Sequence, residues 1–338
     1  MKKLFTVLFA LALTAGCICA RGKARPEVRF NQEGEFRILH LTDLHFVADR
    51  PEESEKTFAR MDYMVETEKP DFIAITGDVI YGKKPSKALL QSILDKLDSY
   101  RLPFCIVYGN HDPEQDMSRA EMSQMIASAR YSVNTLDSKG ELADVRIPVG
   151  STVNPGSDPL DLYFFDSHQY SKKKQVGGYA WLTLDQIIWM RDRCNAATEA
   201  NGGNHVPSFA FFHIPLPEFY DAWKLTEDSR KKAGLGLRGE YGGHPKINSG
   251  MFTAMLEAGN IIGIFCGHDH DSDYIVPYYG IALAYGRYSG DGTVYNHLPH
   301  GARIISVKEG ERAFTTWIRE DGGRIQYKCL FKDGKVTK

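Results

Sequence analysis

The sequence has little excess charge of either sign. Its 338 residues include 41 lysines and arginines against 43 aspartates and glutamates, which gives a formal net charge of −2. This balance gives no electrostatic reason to expect nucleic acid or an anionic membrane as the main partner. The sequence also has no basic stripe interleaved with stacking aromatics, which argues further against long nucleic acid.

Cysteine is scarce, with six residues in the chain, and two of them fall in the N-terminal leader described below. Cys105 and Cys266 lie within apolar runs typical of strands and are expected to be buried thiols. Cys194 and Cys329 could pair, although nothing in their spacing requires it. The cysteines therefore do not predict a disulfide framework.

Long apolar runs are absent apart from one at the N-terminus. There, Lys2 and Lys3 precede a run of small or apolar residues from Leu4 to Ala15. The run is too short to span a bilayer stably and has no stop-transfer flank. It therefore predicts a signal peptide over residues 1–20 rather than a transmembrane helix, and the chain is expected to be exported.

The end of this leader leaves two modes of export open. The stretch Leu13–Cys17 resembles a bacterial lipobox, although Thr14 stands where an aliphatic residue is more usual. Processing there would leave a lipid on Cys17 and tether the protein, whereas cleavage near Ala20 would release it. We expect a periplasmic, envelope-tethered or secreted protein that meets the membrane only through such a lipid.

The rest of the chain shows no internal repeat, no low-complexity tract and no boundary strong enough to divide it. Residues 21–34 are polar and predict a linker, and residues 35–338 predict one domain with enough apolar residues for a sizeable core. Apolar strand-like runs alternate with helical periodicity, which predicts an α/β fold with a largely parallel sheet. Residues 134–160 predict a surface excursion, and residues 225–250 predict a functional or mobile loop.

Polar side chains follow five predicted strands at the point where each strand ends. They are Asp43 with His45, Asp78, Asn110 with His111, His213, and His268 with His270. Because sites in open α/β sheets form at the carboxyl ends of strands, we expect these residues to converge.

The donor types predict a metal site. Carboxylate, amide and imidazole donors without a thiolate suit Fe, Mn or Zn and argue against a structural zinc knot. A carboxylate such as Asp78 could bridge two ions. Such a pair lowers the pKa of a shared water and holds both ends of an in-line displacement, which suits phosphoryl transfer.

These ordered motifs resemble the signature of the calcineurin-like metallophosphoesterases. The resemblance extends over about residues 36–320, and its motifs are Asp43-Leu-His45, Gly77-Asp78, Gly109-Asn-His111, His213 and Gly267-His-Asp-His270. The stretches Phe212–Glu218 and Asn248–Phe252 further resemble the purple-acid-phosphatase-like branch, which includes plant members labelled "probably inactive". The resemblance implies a four-layer αββα sandwich, in which helices flank two mixed β-sheets and the metal site lies at strand C-terminal ends.

The resemblance also implies a role for each site residue. One metal would take Asp43, His45, Asp78 and His270, and the other would take Asp78, Asn110, His213 and His268. A hydroxide bridging the two ions would attack phosphorus. His111 would then protonate the leaving oxygen, a role that suits histidine because imidazole titrates near neutral pH.

One position departs from the related enzymes. In the family's serine/threonine phosphatases, the third residue after the bridging Asp is another Asp, which orients the catalytic His. Here that residue is Tyr81, which leaves Asp112 as a candidate partner of His111. True purple acid phosphatases have an iron-ligating Tyr at this position but lack the His that is present here as His45. Tyr81 is therefore either a metal ligand or part of the wall.

Two further residues could contact the substrate phosphate. Arg287 lies in the glycine-flanked stretch Tyr285–Gly290, and His244 lies in the glycine-rich loop. The alternative for both is an ordinary solvated loop residue.

The expected activity is hydrolysis of phosphoesters, most simply of phosphomonoesters. The partner would be a small-molecule phosphoester or a phosphoprotein, and the oligomeric state is left open. A phosphodiesterase acting on small diesters and a catalytically silent metal-binding module are the alternatives. The complete ligand set and the presence of His111 argue against the silent module.

Overall fold

Two β-sheets face each other, and helices cover the outer face of each. The computed structural model describes residues 25–82, 85–227, 234–294 and 297–338, so the predicted signal peptide and Cys17 lie outside the described residues. Within the described residues, no helix is both long enough and apolar enough to cross a membrane.

The strands of the described chain are β1 (Glu35–Leu41), β2 (Phe72–Thr76), β3 (Phe104–Val107), β4 (Val145–Val149), β5 (Leu160–Phe164), β6 (Ser208–Phe211), β7 (Ile261–Cys266), β8 (Ile275–Tyr278), β9 (Ile281–Tyr285), β10 (Gly301–Lys308), β11 (Ala313–Glu320), β12 (Ile325–Lys332) and β13 (Lys335–Thr337). The helices are α1 (Pro51–Glu68), α2 (Lys87–Ser99), α3 (Arg119–Ser128), α4 (Leu184–Ala200), α5 (Pro217–Glu227) and α6 (Met251–Ala258). Short 3₁₀ turns occur at Asp112–Glu114 and Asp321–Gly323.

Both sheets are mixed, as the resemblance implied. Among the described strands, the first sheet has the order β13-β12-β11-β10-β1-β2-β3 and the second has the order β4-β5-β6-β7-β9-β8. The strands β1, β2 and β3 are parallel to one another, and β10 runs antiparallel to β1. In the second sheet β5, β6, β7 and β9 are parallel, while β4 and β8 run antiparallel at the two edges. The predicted parallel arrangement therefore holds at the centre of each sheet.

Buried apolar side chains of the described chain form three clusters, one at each interface between layers. The first lies between the sheets and contains Phe164, Phe211 and Phe265, with successive ring centroids 4.8 Å and 5.3 Å apart. The second lies between the first sheet and α1, α2 and α3, and the third lies between the second sheet and α4, α5 and α6. The layers therefore follow the order helix, sheet, sheet, helix, which confirms the predicted fold.

Helix α2 shows how the sequence specifies one of these interfaces. Leu90, Ile93, Leu94 and Leu97 are buried, and their spacing puts them on one face of a helix. That face packs in the second cluster, while polar residues occupy the opposite face.

One segment predicted to be irregular contains a strand, and one helix was not predicted. Strand β4 lies inside the predicted excursion 134–160, and Val145, Ile147 and Val149 alternate into the core with the period of two that a strand requires. Flanking Asp, Pro and Gly residues concealed this short run. Helix α5 begins at Pro217, a position that favours the start of a helix because proline has no N–H to leave unpaired.

The structure also decides two smaller points. Residues 25–34 of the predicted linker pack against the domain, because Val28 and Phe30 are buried in the core between the sheets. The four cysteines that the structure describes are all buried and free, so Cys194 and Cys329 do not pair.

Candidate metal centre

The predicted ligand residues lie where the carboxyl ends of the two sheets meet, an edge that we call the seam. The adjacent parallel strands β1, β2 and β3 lead into Asp43, His45, Asp78 and Asn110, and the adjacent parallel strands β6 and β7 lead into His213, His268 and His270. Each sheet therefore contributes about half of the site.

Hydrogen bonds across the seam fix the two halves relative to each other. His213 Nδ1, from the second sheet, lies 2.7 Å from the carbonyl oxygen of Thr76 at the end of β2. In the opposite direction, the backbone amide of His268 donates to the Asp43 carboxylate oxygens at 3.2 Å and 3.1 Å. Both contacts join the carboxyl end of one sheet to that of the other.

Four of the predicted ligand residues adopt left-handed backbone conformations. The φ angles are 51° at Asp43, 42° at His45, 50° at Asp78 and 76° at His268. This region is uncommon for residues other than glycine, and the left-handed conformation costs about 1–2 kcal/mol per residue. Such strain clusters at functional sites, where the surrounding structure holds it in place.

Two glycines of the motifs are required because their backbone lies close to the carboxylates of the predicted ligands. A Cβ at Gly109 would collide with the Asp78 carboxylate, and a Cβ at Gly267 would collide with Thr42 and lie 2.6 Å from the Asp43 carboxylate. The absence of a side chain at both positions lets the strand-end loops pack directly against the two acids.

Asp78 lies between two groups of donors. Its Oδ2 atom is 3.3 Å from His45 Nε2 on one side and 3.2 Å from His213 Nε2 on the other. Its Oδ1 atom accepts a hydrogen bond from the backbone amide of His111 at 2.8 Å, which fixes the orientation of the carboxylate. One carboxylate in this position can serve two metal ions at once.

The first group consists of Asp43, His45, Asp78 and His270, whose donor atoms all lie within 4.8 Å of one another. His270 Nε2 is 3.4 Å from Asp43 Oδ1, and the other ring nitrogen of His270 contacts the carbonyl oxygen of Val294. That contact leaves Nε2 directed at the group. Histidine ligands of metals are commonly oriented in this way, with the second ring nitrogen held by a carbonyl oxygen.

His45 provides an independent test of whether a cation fits the first group. It is buried, and neither ring nitrogen makes an aligned hydrogen bond, although Nε2 lies 3.3 Å from the Asp78 carboxylate. Buried polar atoms in native proteins are nearly always paired, so an orphaned imidazole among carboxylates indicates a missing partner. A metal ion bound by this donor set would supply that partner.

The second group shares Asp78 and adds His213, His268 and Asn110. Donor atoms of the first three lie within 4.8 Å of one another. His213 Nε2 is 3.2 Å from Asn110 Oδ1 and 3.3 Å from His268 Nδ1. The oxygen of the amide, rather than its nitrogen, therefore faces the cluster, as a metal ligand requires.

Without a cation, protons partly balance the charge of this cluster. Burial would lower the pKa of His213, but the Asp78 carboxylate outweighs it and raises the pKa to about 10. Burial also opposes protonation of His270, and the nearby Asp43 carboxylate raises its pKa to about 9. Burial would raise the pKa of Asp78, but the charge of His213 holds it well below the usual value. The site is thus built to hold positive charge next to ionised carboxylates.

Asp112 does not have the role considered for it from the sequence. Its Oδ1 atom accepts hydrogen bonds from the amides of Val79 at 2.8 Å and Ile80 at 3.0 Å, and its Oδ2 atom accepts from the amide of Gly109 at 2.7 Å. The buried carboxylate therefore ties the loop after β2 to the loop after β3. Its acceptor oxygens are directed at the backbone and not at His111.

The residue that faces His111 is Glu114, which the sequence analysis missed. Glu114 Oε1 lies 3.0 Å from His111 Nδ1, and the two side chains are 27% and 25% exposed. The single 3₁₀ turn Asp112–Glu114 brings them together. Because i and i+3 side chains share one side of such a turn, the spacing His-x-x-Glu was the signal available in the sequence.

Tyr81 packs against the site with its ring. It stacks on His45 with ring centroids 5.1 Å apart and meets the edge of His111 at 4.8 Å. These contacts agree with the expectation of wall packing. Its ligation of a metal stays a prediction.

Arg287 does not contact the metal site, contrary to the sequence-based expectation that it could bind substrate phosphate. The side chain is 1% exposed. It pairs with Asp273 and Glu320, and it also donates to the carbonyl oxygen of Pro299. Its guanidinium is therefore committed to a buried ion-pair network that links β11 to the segment before β8.

His244 lies beside the site, and a role in substrate binding stays a prediction. Its Nδ1 atom is 2.9 Å from the carbonyl oxygen of Pro245. The preceding Gly243 packs against His268 so closely that a Cβ there would lie 2.5 Å from the imidazole ring. The amide of Gly243 donates to Asp269 at 2.8 Å, which anchors this loop to the one that carries His268 and His270.

Comparison with known proteins agrees with this geometry. Residues 36–272 match the family model of the calcineurin-like phosphoesterases. The chain is 29% identical over 316 residues to "Probable inactive purple acid phosphatase 29" of Arabidopsis thaliana, covering 83% of this chain and 79% of that protein. It is also 29% identical over 322 residues to "Phosphatase DCR2" of Saccharomyces cerevisiae, covering 86% of this chain and 54% of the yeast protein.

Solved structures share the fold. The crystal structure of a dimetal phosphatase from Danio rerio superposes with a TM-score of 0.59 at 11% identity, covering 88% of this chain and 99% of that chain. The family match, the relatives and the paired donor groups agree with one another. The chain belongs to the calcineurin-like phosphoesterase family, in its purple-acid-phosphatase-like branch.

Proposed function

We propose that this protein is an exported dinuclear metallophosphatase that hydrolyses phosphomonoesters. The observation that carries the proposal is the position of Asp78, whose carboxylate lies within 3.3 Å of a donor in each of two groups. Two complete donor sets that share one carboxylate suit a pair of ions a few ångströms apart. Fe, Mn and Zn are the metals that such mixed oxygen and nitrogen donors favour.

The protein's own residues would hold and surround the reacting phosphoryl group. Asp43, His45, Asp78 and His270 would hold one ion, and Asn110, His213 and His268 would complete the second set together with Asp78. When bound, the ions would neutralise charge on the phosphoryl oxygens and activate water for attack. The strained, cross-linked backbone would keep the donors in place during the reaction.

His111 is the proposed proton donor to the leaving oxygen, and Glu114 is the proposed partner that positions it. His111 follows the ligand Asn110 directly, and its side chain is 25% exposed. It is therefore held at the site yet open to the substrate. With Glu114 at 3.0 Å from Nδ1, the Nε2 atom is the ring nitrogen left to face the leaving group.

A catalytically silent metal-binding module is the second candidate. The observation in its favour is that three plant relatives, each 28–29% identical to this chain, are named "Probable inactive". The complete donor sets and the positioned His111 support an active enzyme instead. Action on small diesters is a variant of the first proposal and differs from it only in substrate.

Hydrolysis of p-nitrophenyl phosphate and of bis(p-nitrophenyl) phosphate by protein loaded separately with Fe, Mn and Zn tests the proposal. We expect chelator-sensitive release of p-nitrophenol from the monoester, which Asp78→Asn abolishes and the exposed helix variant Asp95→Asn does not. A metal-loaded protein that is inactive on both esters would support the silent module. Faster diester hydrolysis would identify a diesterase, and full activity of Asp78→Asn would exclude the shared carboxylate.

Export also belongs to this proposal, with a small phosphoester or a phosphoprotein outside the cytoplasm as the substrate. The basic start and apolar run of the leader support it. Mass spectrometry of the mature N-terminus is the test. A lipid on Cys17 would indicate tethering to the envelope, and an unmodified start at or after Arg21 would indicate release.

A further inference from the structure

A pair of stacked tyrosines lies beside the proposed metal site and has no role so far. The rings of Tyr170 and Tyr179 are 5.4 Å apart with an interplanar angle of 21°. The Tyr179 ring stands perpendicular to the imidazole of the ligand His268, with centroids 4.5 Å apart. Tyr170 is nevertheless 53% exposed. A ring that served only to fill the core would be covered.

The segment that carries these rings is braced against the site. The side-chain amide of Gln169 donates to the carbonyl oxygen of Asn110 at 2.9 Å, and the amide of Ala180 donates to the carbonyl oxygen of Gln169 at 2.8 Å. Lys246 Nζ donates to the carbonyl oxygen of Val176 at 3.0 Å and so holds the far end of the segment. The exposed ring is therefore pre-organised, which lowers the entropic cost of binding a ligand.

Tyr170 lies next to the loop that carries the proposed proton donor. The adjacent residue, Gln169, donates to the carbonyl oxygen of Asn110, and His111 follows Asn110 directly. Tyr81 packs against His111 with ring centroids 4.8 Å apart, so a further aromatic ring adjoins the same loop.

We infer that Tyr170, backed by Tyr179, is a stacking platform that selects phosphomonoesters whose leaving group carries a planar ring. The inference rests on the proposed function, since it assigns the substrate class of the same site. Aryl phosphates and nucleoside monophosphates share this chemistry. An aromatic platform recognises the π-face of a ring and tolerates differences in its edge.

The test compares substrates within each variant. We expect Tyr170→Leu to lower the ratio of kcat/KM for phenyl phosphate to that for glycerol phosphate by about 5- to 150-fold, the range for loss of one stacked ring. Tyr170→Phe removes the hydroxyl group and keeps the ring, so it should retain the ratio. Tyr279→Leu, which changes a tyrosine 71% exposed at the turn between β8 and β9, is the matched control.

A binding measurement separates this inference from the proposed function. Protein loaded with Mn²⁺ should bind phenylphosphonate more tightly than methylphosphonate in calorimetry, and Tyr170→Leu should abolish the preference even if the wild-type protein hydrolyses nothing. Absence of turnover would therefore count against the phosphatase alone. Equal affinity of the wild type for the two phosphonates, or an unchanged preference in Tyr170→Leu, would overturn the platform.

The two sources of a planar ring are distinguished by a further pair of substrates. In the first case, the platform requires the ring to be bonded directly to the ester oxygen. Tyr170→Leu will then lower kcat/KM for phenyl phosphate relative to glycerol phosphate. The kcat/KM for a nucleoside 5′-monophosphate, relative to glycerol phosphate, will stay unchanged. If the platform reaches a base beyond the ribose, the nucleotide will show the larger loss. A loss for neither would contradict the inference.

Discussion

Removal of the Glu114 carboxylate should slow the proposed reaction. The loss of rate should be larger for a leaving group that must be protonated than for one that departs without a proton. Glu114 Oε1 lies 3.0 Å from His111 Nδ1. The contact is an ion pair, because His111 Nδ1 makes no aligned hydrogen bond. An ion pair that solvent reaches contributes up to about 1 kcal/mol, and these two side chains are 25% and 27% exposed. About 1 kcal/mol corresponds to roughly a fivefold change in rate.

The assay is kcat on two phosphomonoesters that differ in their leaving groups. An alkoxide such as that of glycerol needs a proton as it departs, whereas p-nitrophenolate is stable without one. We therefore expect Glu114→Ala to lower kcat for glycerol phosphate about fivefold and kcat for p-nitrophenyl phosphate much less. Glu114→Gln keeps a hydrogen-bonding group without the charge and should fall between the wild type and Glu114→Ala.

Glu121 provides the matched control, because it is an exposed glutamate on α3 that pairs with Lys87. Glu121→Gln should change neither kcat value. Equal losses for both esters in Glu114→Ala would mean that the carboxylate supports the site in general and does not act through the proton donor. No loss for either ester would refute the positioning role altogether. Thermal unfolding of each variant checks that the fold is retained.

Three further outcomes follow from the structure. Gly243→Ala would place a methyl group 2.5 Å from the His268 ring, whereas the nearest atom to a Cβ at Gly242 lies at 3.6 Å. We expect the first substitution, but not Gly242→Ala, to weaken metal binding about 10- to 100-fold in calorimetry. Because the pKa of His213 is raised to about 10 without metal, an ion must displace its proton. Metal affinity should therefore increase from about pH 6 to about pH 9 with release of protons, and a pH-independent affinity would contradict this. Arg287→Ala leaves two buried carboxylates unpaired and should lower the free energy of unfolding by about 3–5 kcal/mol in urea titrations, without changing kcat. A lower kcat at unchanged stability would instead indicate that Arg287 contributes to substrate binding or catalysis.

The metal donors could be predicted from the sequence because each follows an apolar run. Asp78 follows β2 and His213 follows β6, and in both cases the run ends where the polar residue begins. Parallel strands bring such ends together at one edge, so convergence followed from local patterns. The division of the strands between two sheets did not follow from local patterns. It depends on contacts such as that of His213 with Thr76, which are distant in sequence.

The predictions for Arg287 and Asp112 were wrong for one physical reason. The partner of a side chain after a strand depends on the course of the loop. Arg287 follows a strand in the same way as the donors do, but its chain turns inward to Asp273 and Glu320. Asp112 adjoins His111 in sequence, yet its carboxylate points to backbone amides while Glu114 takes the expected place. The course of the loop after each strand decides these contacts, and local apolar patterns do not specify it.

Because the proposed site lies at the seam, the spacing of its donors depends on how the two sheets are positioned relative to each other. Roughly half of the donors follow strands of each sheet. A shift of one sheet relative to the other would therefore change the distances between donors of the two halves. A close-packed interior transmits such displacements rather than absorbing them. The distances between the donors therefore depend on the thickness of the core layer between the sheets, which contains Phe314 and Phe265. We therefore expect affinity for a cation to depend on the packing of that layer.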